Sequence, residues 1–371
     1  MSCTKGSCCP PKKADETTYD MVREYYGKVL TTSGDLKTSA CTACTIPPKY
    51  VTDAIALVPS EVNEKFYGCG APLPAGIDGL TVLDLGSGSG RDCYIAAKLV
   101  GPKGRVIGVD MTDEQLDVAR AHVNAFAERL GWEPQLEFRK GYIERIQEAG
   151  IEDGSIDIAI SNCVVNLSPD KHAVLQGVYH ALRSGGEFYF SDVYADRRLS
   201  KEARSHAVLV GECIGGALYT EDFRRICEEI GFTKPRIVSQ TVVDVEDPEL
   251  VQVVEGATFY SITYRLFKAG DQEDREENYG QMATYRGTFA DEKDAYQLDK
   301  DIKLPTGQSV PVSGNVADIL QTSWLHPHFS VEGNRDRHFG LFQPGTSTAT
   351  CKPTADRTPA KSGCCGGGRT C

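Results

Sequence analysis

The chain has 371 residues, 40% of them hydrophobic and 25% charged, and a formal net charge of −12. That length accommodates a catalytic domain with at least one smaller module, and the composition is that of a globular protein rather than a disordered or membrane-embedded one. An acidic chain without a Lys/Arg-rich run repels phosphate backbones, which sets nucleic acid aside as a partner.

Residues 1–18 hold Cys, Lys and Pro but no apolar core of secretory-signal length, and no later stretch approaches a membrane span, so the chain reads as cytoplasmic, with a monomer as the default state. In such a long chain, 14 cysteines point to metal or thiol chemistry rather than a disulfide framework. Several of them crowd the two ends, where Cys3, Cys8, Cys9 and Cys364, Cys365, Cys371 lie in tail-like sequence.

Between the tails the elements alternate. Apolar runs at 82–85 and 105–109 stop at Gly86 and Asp110 and read as parallel strands. Leu116, Ala119, Val123, Phe126 and Leu130 keep helical spacing, which predicts one crossover helix over 112–130, with Thr112 and Gln115 as a capping box and Gly131 as the stop. Strands at 136–139 and 156–161, a helix over 170–183 and a strand at 187–192 continue the pattern of a doubly wound α/β sheet. A helix over 221–230 then precedes two β-rich stretches, 236–243 and 258–267, spaced to form an antiparallel edge. The acidic run 271–277 reads as a linker, and 281–342, cut by frequent turns, as a small, mostly β module. The division expected is a tail and lead-in (1–65), a catalytic domain (66–269), a small module (270–345) and a Cys/Gly-rich tail (346–371).

Val82-Leu83-Asp84-Leu85-Gly86-Ser87-Gly88-Ser89-Gly90 sets three glycines directly after the first strand, where backbone can approach a ligand without side-chain interference. Gly-x-Gly-x-Gly alone is a weak signal. Here Asp84 ends the strand, Arg91 can open a helix, and Asp110 ends the next strand where a carboxylate can accept both hydroxyls of a ribose. Dinucleotide enzymes use Gly-x-Gly-x-x-Gly, whereas this third glycine comes one residue early. The turn resembles that of class I S-adenosylmethionine methyltransferases. The resemblance implies that Asp84 meets the methionine amino group, that Ile143 and Glu144 meet the adenine edge, and that Tyr67, Met111 and Asn162 also contact the cofactor.

The acceptor should be legible at the carboxyl ends of the strands. The fourth strand ends Ser161-Asn162-Cys163-Val164-Val165-Asn166, without the Asn/Asp-Pro-Pro-aromatic tetrad of DNA amino methyltransferases. Cys69, in Phe66-Tyr67-Gly68-Cys69-Gly70, and Cys213, in Gly211-Glu212-Cys213-Ile214-Gly215-Gly216, are flanked by glycines that suit exposed loops able to fold over that edge. An isolated cysteine is more often a small core residue, the reading given to Cys93 and Cys227. Three converging thiolates would make a soft trigonal site. Trivalent arsenic fits it, keeping a lone pair that can attack carbon without a general base. Zinc would want a fourth ligand or a water.

These segments, with 83–92 and His338-Phe339-Gly340-Leu341-Phe342, resemble the arsenite methyltransferases over nearly the whole chain. That resemblance implies a Rossmann-like, mostly parallel seven-stranded sheet. It also implies arsenite and methylarsenite as substrates bound by Cys69, Cys163 and Cys213, S-adenosylmethionine as methyl donor, and glutathione or thioredoxin as reductant. It further puts Cys41 within reach, where it could form a disulfide with Cys69 after transfer. A zinc-knuckle fragment is the other reading of Cys41 and Cys44. Cys8-Cys9 and Cys364-Cys365 either deliver arsenic or are solvated tail thiols. Two rival functions remain: methylation of another small acceptor, and sequestration of arsenic on a methyltransferase scaffold.

Overall fold

The computed structural model describes Tyr19 and residues 47–66, 68, 70–270 and 272–343. Strands β1 (Thr81–Leu85), β2 (Arg105–Asp110), β3 (Gln135–Lys140), β4 (Ile156–Asn162) and β5 (Leu182–Ala195) are parallel and lie in the order β3-β2-β1-β4-β5. The central strands are buried almost end to end, as expected where helices cover both faces of a parallel sheet. Beyond β5 the direction reverses: β8 (Phe259–Phe267) pairs antiparallel with β5, and β7 (Arg236–Val243) closes the edge against β8. The predicted seven-stranded path is thus present. The two-residue β6 (Leu218–Tyr219) adds a short parallel pairing at the end of β5.

The strand order turns back between β1 and β4, which opens a crevice above the carboxyl ends of β1, β2 and β4. Helices α1 (Lys49–Ile55), α2 (Arg91–Val100), α3 (Asp113–Ala121), α4 (Val123–Leu130), α5 (Lys171–Ala181), α6 (Ala207–Gly211) and α7 (Thr220–Ile230) surround the sheet. The helix expected over 112–130 is two helices. His122 (φ −104°, ψ −1°) interrupts it, with its Nε2 2.9 Å from Glu61 Oε2, and the change of direction lets Leu116 and Ala119 of α3 and Phe126 of α4 all reach the core. The capping box does not form either. Thr112 makes no side-chain cap; its amide donates instead to Asp110 Oδ1 (2.8 Å).

The C-terminal module is mostly β, as expected. It comprises a three-stranded antiparallel sheet of β12 (Ser309–Pro311), β9 (Met282–Tyr285) and β13 (Phe329–Glu332), a hairpin of β10 (Ala295–Asp299) and β11 (Ile302–Pro305), and one helix, α8 (Gly314–Thr322). It shares a core with the main sheet, since Tyr285, Phe289 and Leu320 belong to one apolar cluster with Ile158 and Phe267. At the junction the fully buried Glu187 of β5 accepts from Arg265 Nη2 (2.9 Å) and from Trp324 Nε1 (2.7 Å), while Arg265 Nη1 donates to Tyr296 Oη (2.7 Å). The acidic run is no free linker. Glu276 pairs with Arg236 of β7 (2.9 Å), and Asn315 of α8 holds the backbone of the run, accepting from the Glu273 amide (2.8 Å) and donating to Glu273 O (2.9 Å).

Candidate functional site

The crevice holds one cavity, lined by Asp84 from β1, Gly86, Ser87, Gly88 and Ser89 from the turn, Asp92 from the first turn of α2, Asp110 at the end of β2 with Met111 and Thr112 after it, Ile143 and Glu144 after β3, and Asn162 at the end of β4 with Cys163 after it. Gly86 (φ 66°) and Gly88 (φ 52°) take the left-handed conformation. A β-carbon on Gly86 would come within 2.3 Å of the Val164 side chain, so the close approach of turn to β4 requires glycine. Gly90 has a different job: it faces the Phe138 ring and Ala119, packing helix on strand rather than lining the cavity.

Three buried carboxylates converge here. Burial, then the neighbouring Asp92, holds the Asp84 carboxyl well above the ordinary carboxylate range; burial also raises Asp92 and Asp110. Asp110 is braced by the Gly88 amide (2.9 Å) and the Thr112 amide (2.8 Å), and Asp84 Oδ2 accepts from Cys93 Sγ (3.1 Å). Like charges this close are relieved by a cation. Ser87 Oγ, Gln115 Oε1 and Asn162 Oδ1 are buried without a hydrogen-bond partner among the described residues. Unmet polar atoms around a shared cavity are what a polar ligand would satisfy. S-adenosylmethionine, with an ammonium, a sulfonium and ribose hydroxyls, fits that set.

Asp92, Ser87 and Gln115 were not singled out by sequence. Asp92 directly follows Gly90-Arg91, so its place at a helix start beside the turn was readable; Gln115 was obscured because Thr112-x-x-Gln115 also reads as a capping box. Asn162 Nδ2 donates to Asp92 Oδ2 (2.8 Å) and to Gly70 O (2.9 Å), tying β4 to α2 and to the segment ahead of β1.

The acceptor edge is built differently. Cys163 and Cys213 are buried, at 3% and 0% exposure, in one apolar cluster with Val193, Leu209, Ile214 and Phe259. Cys213 Sγ donates to Cys163 O (2.9 Å). Both adopt left-handed backbone (φ 56° and 63°), and among the described non-glycine residues only Glu255 shares it. Asn166 pins the pair: its Nδ2 donates to Cys213 O (3.2 Å) and Val193 O (2.6 Å), and its amide donates to Asp192 Oδ2 (3.0 Å). Cys163 stands in a disulfide, whereas Cys213 carries a thiol.

The glycines beside Cys213 were expected to mark an exposed loop, and here that expectation fails. A β-carbon on Gly216 would meet Asn166 O at 1.9 Å, and one on Gly215 the Val210 amide at 2.9 Å, so these glycines permit tight burial instead. Cys41, Tyr67 and Cys69 lie outside the described residues. The flanks of Cys69 are described: β-carbons on Gly68 and Gly70 would run into Asn162 (2.8 Å) and Ser191 Oγ (2.4 Å), and Ser191 O accepts from the Cys163 amide (2.8 Å). Cys93 and Cys227 are buried, on helices, with burial raising both thiols well above their usual range. Among the described residues no three His, Cys, Asp or Glu side chains are grouped to hold a metal ion, and no helix is long and apolar enough to cross a membrane.

Residues 77–231 match the methyltransferase domain family. An arsenite methyltransferase of Aquipseudomonas alcaligenes is 50% identical over 88% of this chain and 94% of its own length. The chain belongs to the arsenite methyltransferases. The mouse member of this family is 43% identical over 86% of this chain and 84% of its own. The crystal structure of an arsenic(III) S-adenosylmethionine methyltransferase from Chlamydomonas reinhardtii superposes with a TM-score of 0.77, at 52% identity, covering 80% of this chain and all of that one. In this arsenite methyltransferase the carboxylate-lined cavity and the cysteine-bearing edge meet at Cys163 and Leu167.

Proposed function

We propose that this chain methylates trivalent arsenic, using S-adenosylmethionine as donor and the thiolates of Cys69, Cys163 and Cys213 as the arsenic ligands. The observation that carries the reading is the pair Cys163 and Cys213, both forced into left-handed backbone, with Cys213 Sγ donating to Cys163 O (2.9 Å) and Cys163 lining the carboxylate-lined cavity. Strain of this kind persists only where the surrounding fold imposes it, and it clusters at functional sites.

Arsenite enters as As(OH)3. Three thiols displace its three hydroxyls as water, leaving a neutral trithiolate with its lone pair free. S-adenosylmethionine supplies an electrophilic methyl carbon on a sulfonium. Asp84, Asp92 and Asp110 hold and orient that cation, the apolar shell of Val193, Leu209, Ile214 and Phe259 keeps water from the sulfurs, and Asn166 fixes Cys213 relative to Cys163. The arsenic lone pair forms the new As–C bond while the C–S bonding pair leaves with the donor sulfur. Arsenic is then formally pentavalent, and two electrons from a thiol pair must return before another round. Cys41 and Cys69 are the pair proposed, closing a disulfide that glutathione or thioredoxin reopens. A Cys41→Ser enzyme that still made dimethylated arsenic at the normal rate would rule that pair out. The disulfide at Cys163 must likewise be reduced before that sulfur can take arsenic.

With this reading go methylarsenite as second substrate, a reducing cytoplasmic setting, a monomer, and no nucleic-acid partner, the last supported by the net charge of −12. The deciding experiment incubates the purified protein with arsenite, S-adenosylmethionine and glutathione and separates the arsenic species by chromatography. Methylated arsenic is the expected result. Arsenite bound without turnover would favour sequestration, and neither binding nor turnover would return the site to another small acceptor.

A further inference from the structure

Far upstream of β1, one N-terminal side chain reaches the cavity. Tyr19 is among its lining residues, and its ring lies 5.0 Å from that of Tyr142, at 54°. Tyr142 is also a lining residue and immediately precedes Ile143 and Glu144; the Arg145 guanidinium stands 4.9 Å from its ring centroid. Arg145 can do so because it leaves helical geometry (φ −140°, ψ 48°) within the 3-10 segment Ile143–Ala149. The Tyr142 ring thus has a guanidinium and a second, tilted ring as neighbours, the latter from Tyr19, far away in sequence.

We infer that Tyr19 is a cofactor-positioning residue: with Tyr142 it forms an aromatic wall for the adenosyl half of S-adenosylmethionine, so this one side chain completes the cofactor site. One further ring lines the cavity, Phe66, and the Arg91 guanidinium lies 3.9 Å from its centroid; the other lining residues offer a polar atom, a glycine or the aliphatic surfaces of Met111, Ile143, Val164 and Leu167. A purine needs flat, polarisable faces, and Tyr19 and Tyr142 present them beside the segment that the adenine edge is expected to meet. Tyr19 is half-buried. Fixing an aromatic side chain at a cavity mouth costs conformational entropy, and a stacked ligand offsets it when bound. The inference rests on the cofactor assignment but not on the arsenic site.

The test measures S-adenosylhomocysteine and 5′-methylthioadenosine binding by calorimetry on the full-length protein, with arsenite omitted. Tyr19→Ala and Tyr19→Leu are expected to weaken both ligands roughly five- to tenfold, the range of one aromatic contact, and Tyr19→Phe to stay within about twofold. In turnover the loss should fall on KM for S-adenosylmethionine rather than on kcat, and Tyr142→Ala should add little to Tyr19→Ala. Tyr19→Leu keeps the apolar bulk, and an unchanged apo unfolding temperature shows that the fold is intact. Wild-type affinity in Tyr19→Leu, or an equal loss in Tyr19→Phe, would overturn the inference. If no variant or wild-type protein bound either ligand, the cofactor assignment itself would fall, a separate outcome.

Discussion

Two stretches of left-handed backbone meet at this site and handle it in opposite ways. The turn after β1 uses Gly86 and Gly88, for which positive φ is nearly without cost. The acceptor edge uses Cys163 and Cys213, for which it costs on the order of 1–2 kcal/mol each. The difference follows from what each must present. A cofactor turn offers backbone amides and must keep side chains away, so the residue that removes strain is also the residue that functions. The arsenic ligand proposed at each cysteine is itself a side chain. There glycine would relieve the strain and remove the proposed ligand, so the fold carries the strain and restrains it through Asn166.

The sharpest break of this comparison comes from the cysteines. Cys163→Ser or Cys213→Ser should abolish methylated arsenic while leaving S-adenosylhomocysteine affinity within about twofold, since neither supplies a carboxylate or turn amide to the cofactor; product from both variants would refute the acceptor site. Gly86→Ala should do the reverse, striking the cofactor half. Its β-carbon would meet Val164 at 2.3 Å at a φ of +66°, so a loss of roughly 2–4 kcal/mol of stability and at least tenfold weaker S-adenosylhomocysteine binding are expected by calorimetry and denaturation.

Asp192 beneath the acceptor edge gives a pH dependence. Burial raises its carboxyl to about 7, against the opposing backbone amides of Val193 and Asn166 and the Lys171 charge. A carboxyl raised in the folded state binds its proton more tightly there than in the unfolded chain. Its contribution to stability is therefore complete below the ordinary carboxylate range and is lost as pH climbs through about 7. Unfolding free energy should fall by up to about 1.4 kcal/mol per pH unit between roughly pH 4 and 7 on account of this group, and Asp192→Asn should flatten that slope. Equal slopes in the two proteins would show that Asp192 is not raised.

The smallest effect isolates the strain itself. Cys213→Gly should be about 1 kcal/mol more stable than Cys213→Ala by urea denaturation, although glycine usually destabilises relative to alanine. The opposite order would mean that the left-handed geometry of Cys213 is not maintained in solution.

What sequence revealed here divides along the same line. The first strand, its glycine turn and Asp110 were legible because they lie within one β-α-β unit, where spacing and burial are local. The antiparallel edge of β7 and β8 was legible for the same reason. Cys213 was singled out on a premise that failed: its glycines serve close packing on Asn166 and Val210, not exposure, because a one-dimensional pattern cannot tell a glycine that frees a loop from one that lets two backbones touch. Gln115 was misread since its spacing from Thr112 also spells a capping box, which does not form, and the break at His122 involves a contact with Glu61, far away in sequence. Tyr19 was invisible, because nothing local to it signals a cavity assembled from β1, β2 and β4.

The junction between the main sheet and the C-terminal module bears on how this protein could be taken apart. Glu187 and Arg265 belong to the sheet, but Trp324, Tyr296 and the Leu298 carbonyl complete their hydrogen bonding from the module. Cutting the chain near residue 270 would leave an ion pair of the sheet facing solvent on one side with its donors and acceptors half-matched. An enzyme ending at that cut would need the pair redesigned, and a chimera that borrowed another module would have to bring its own tryptophan.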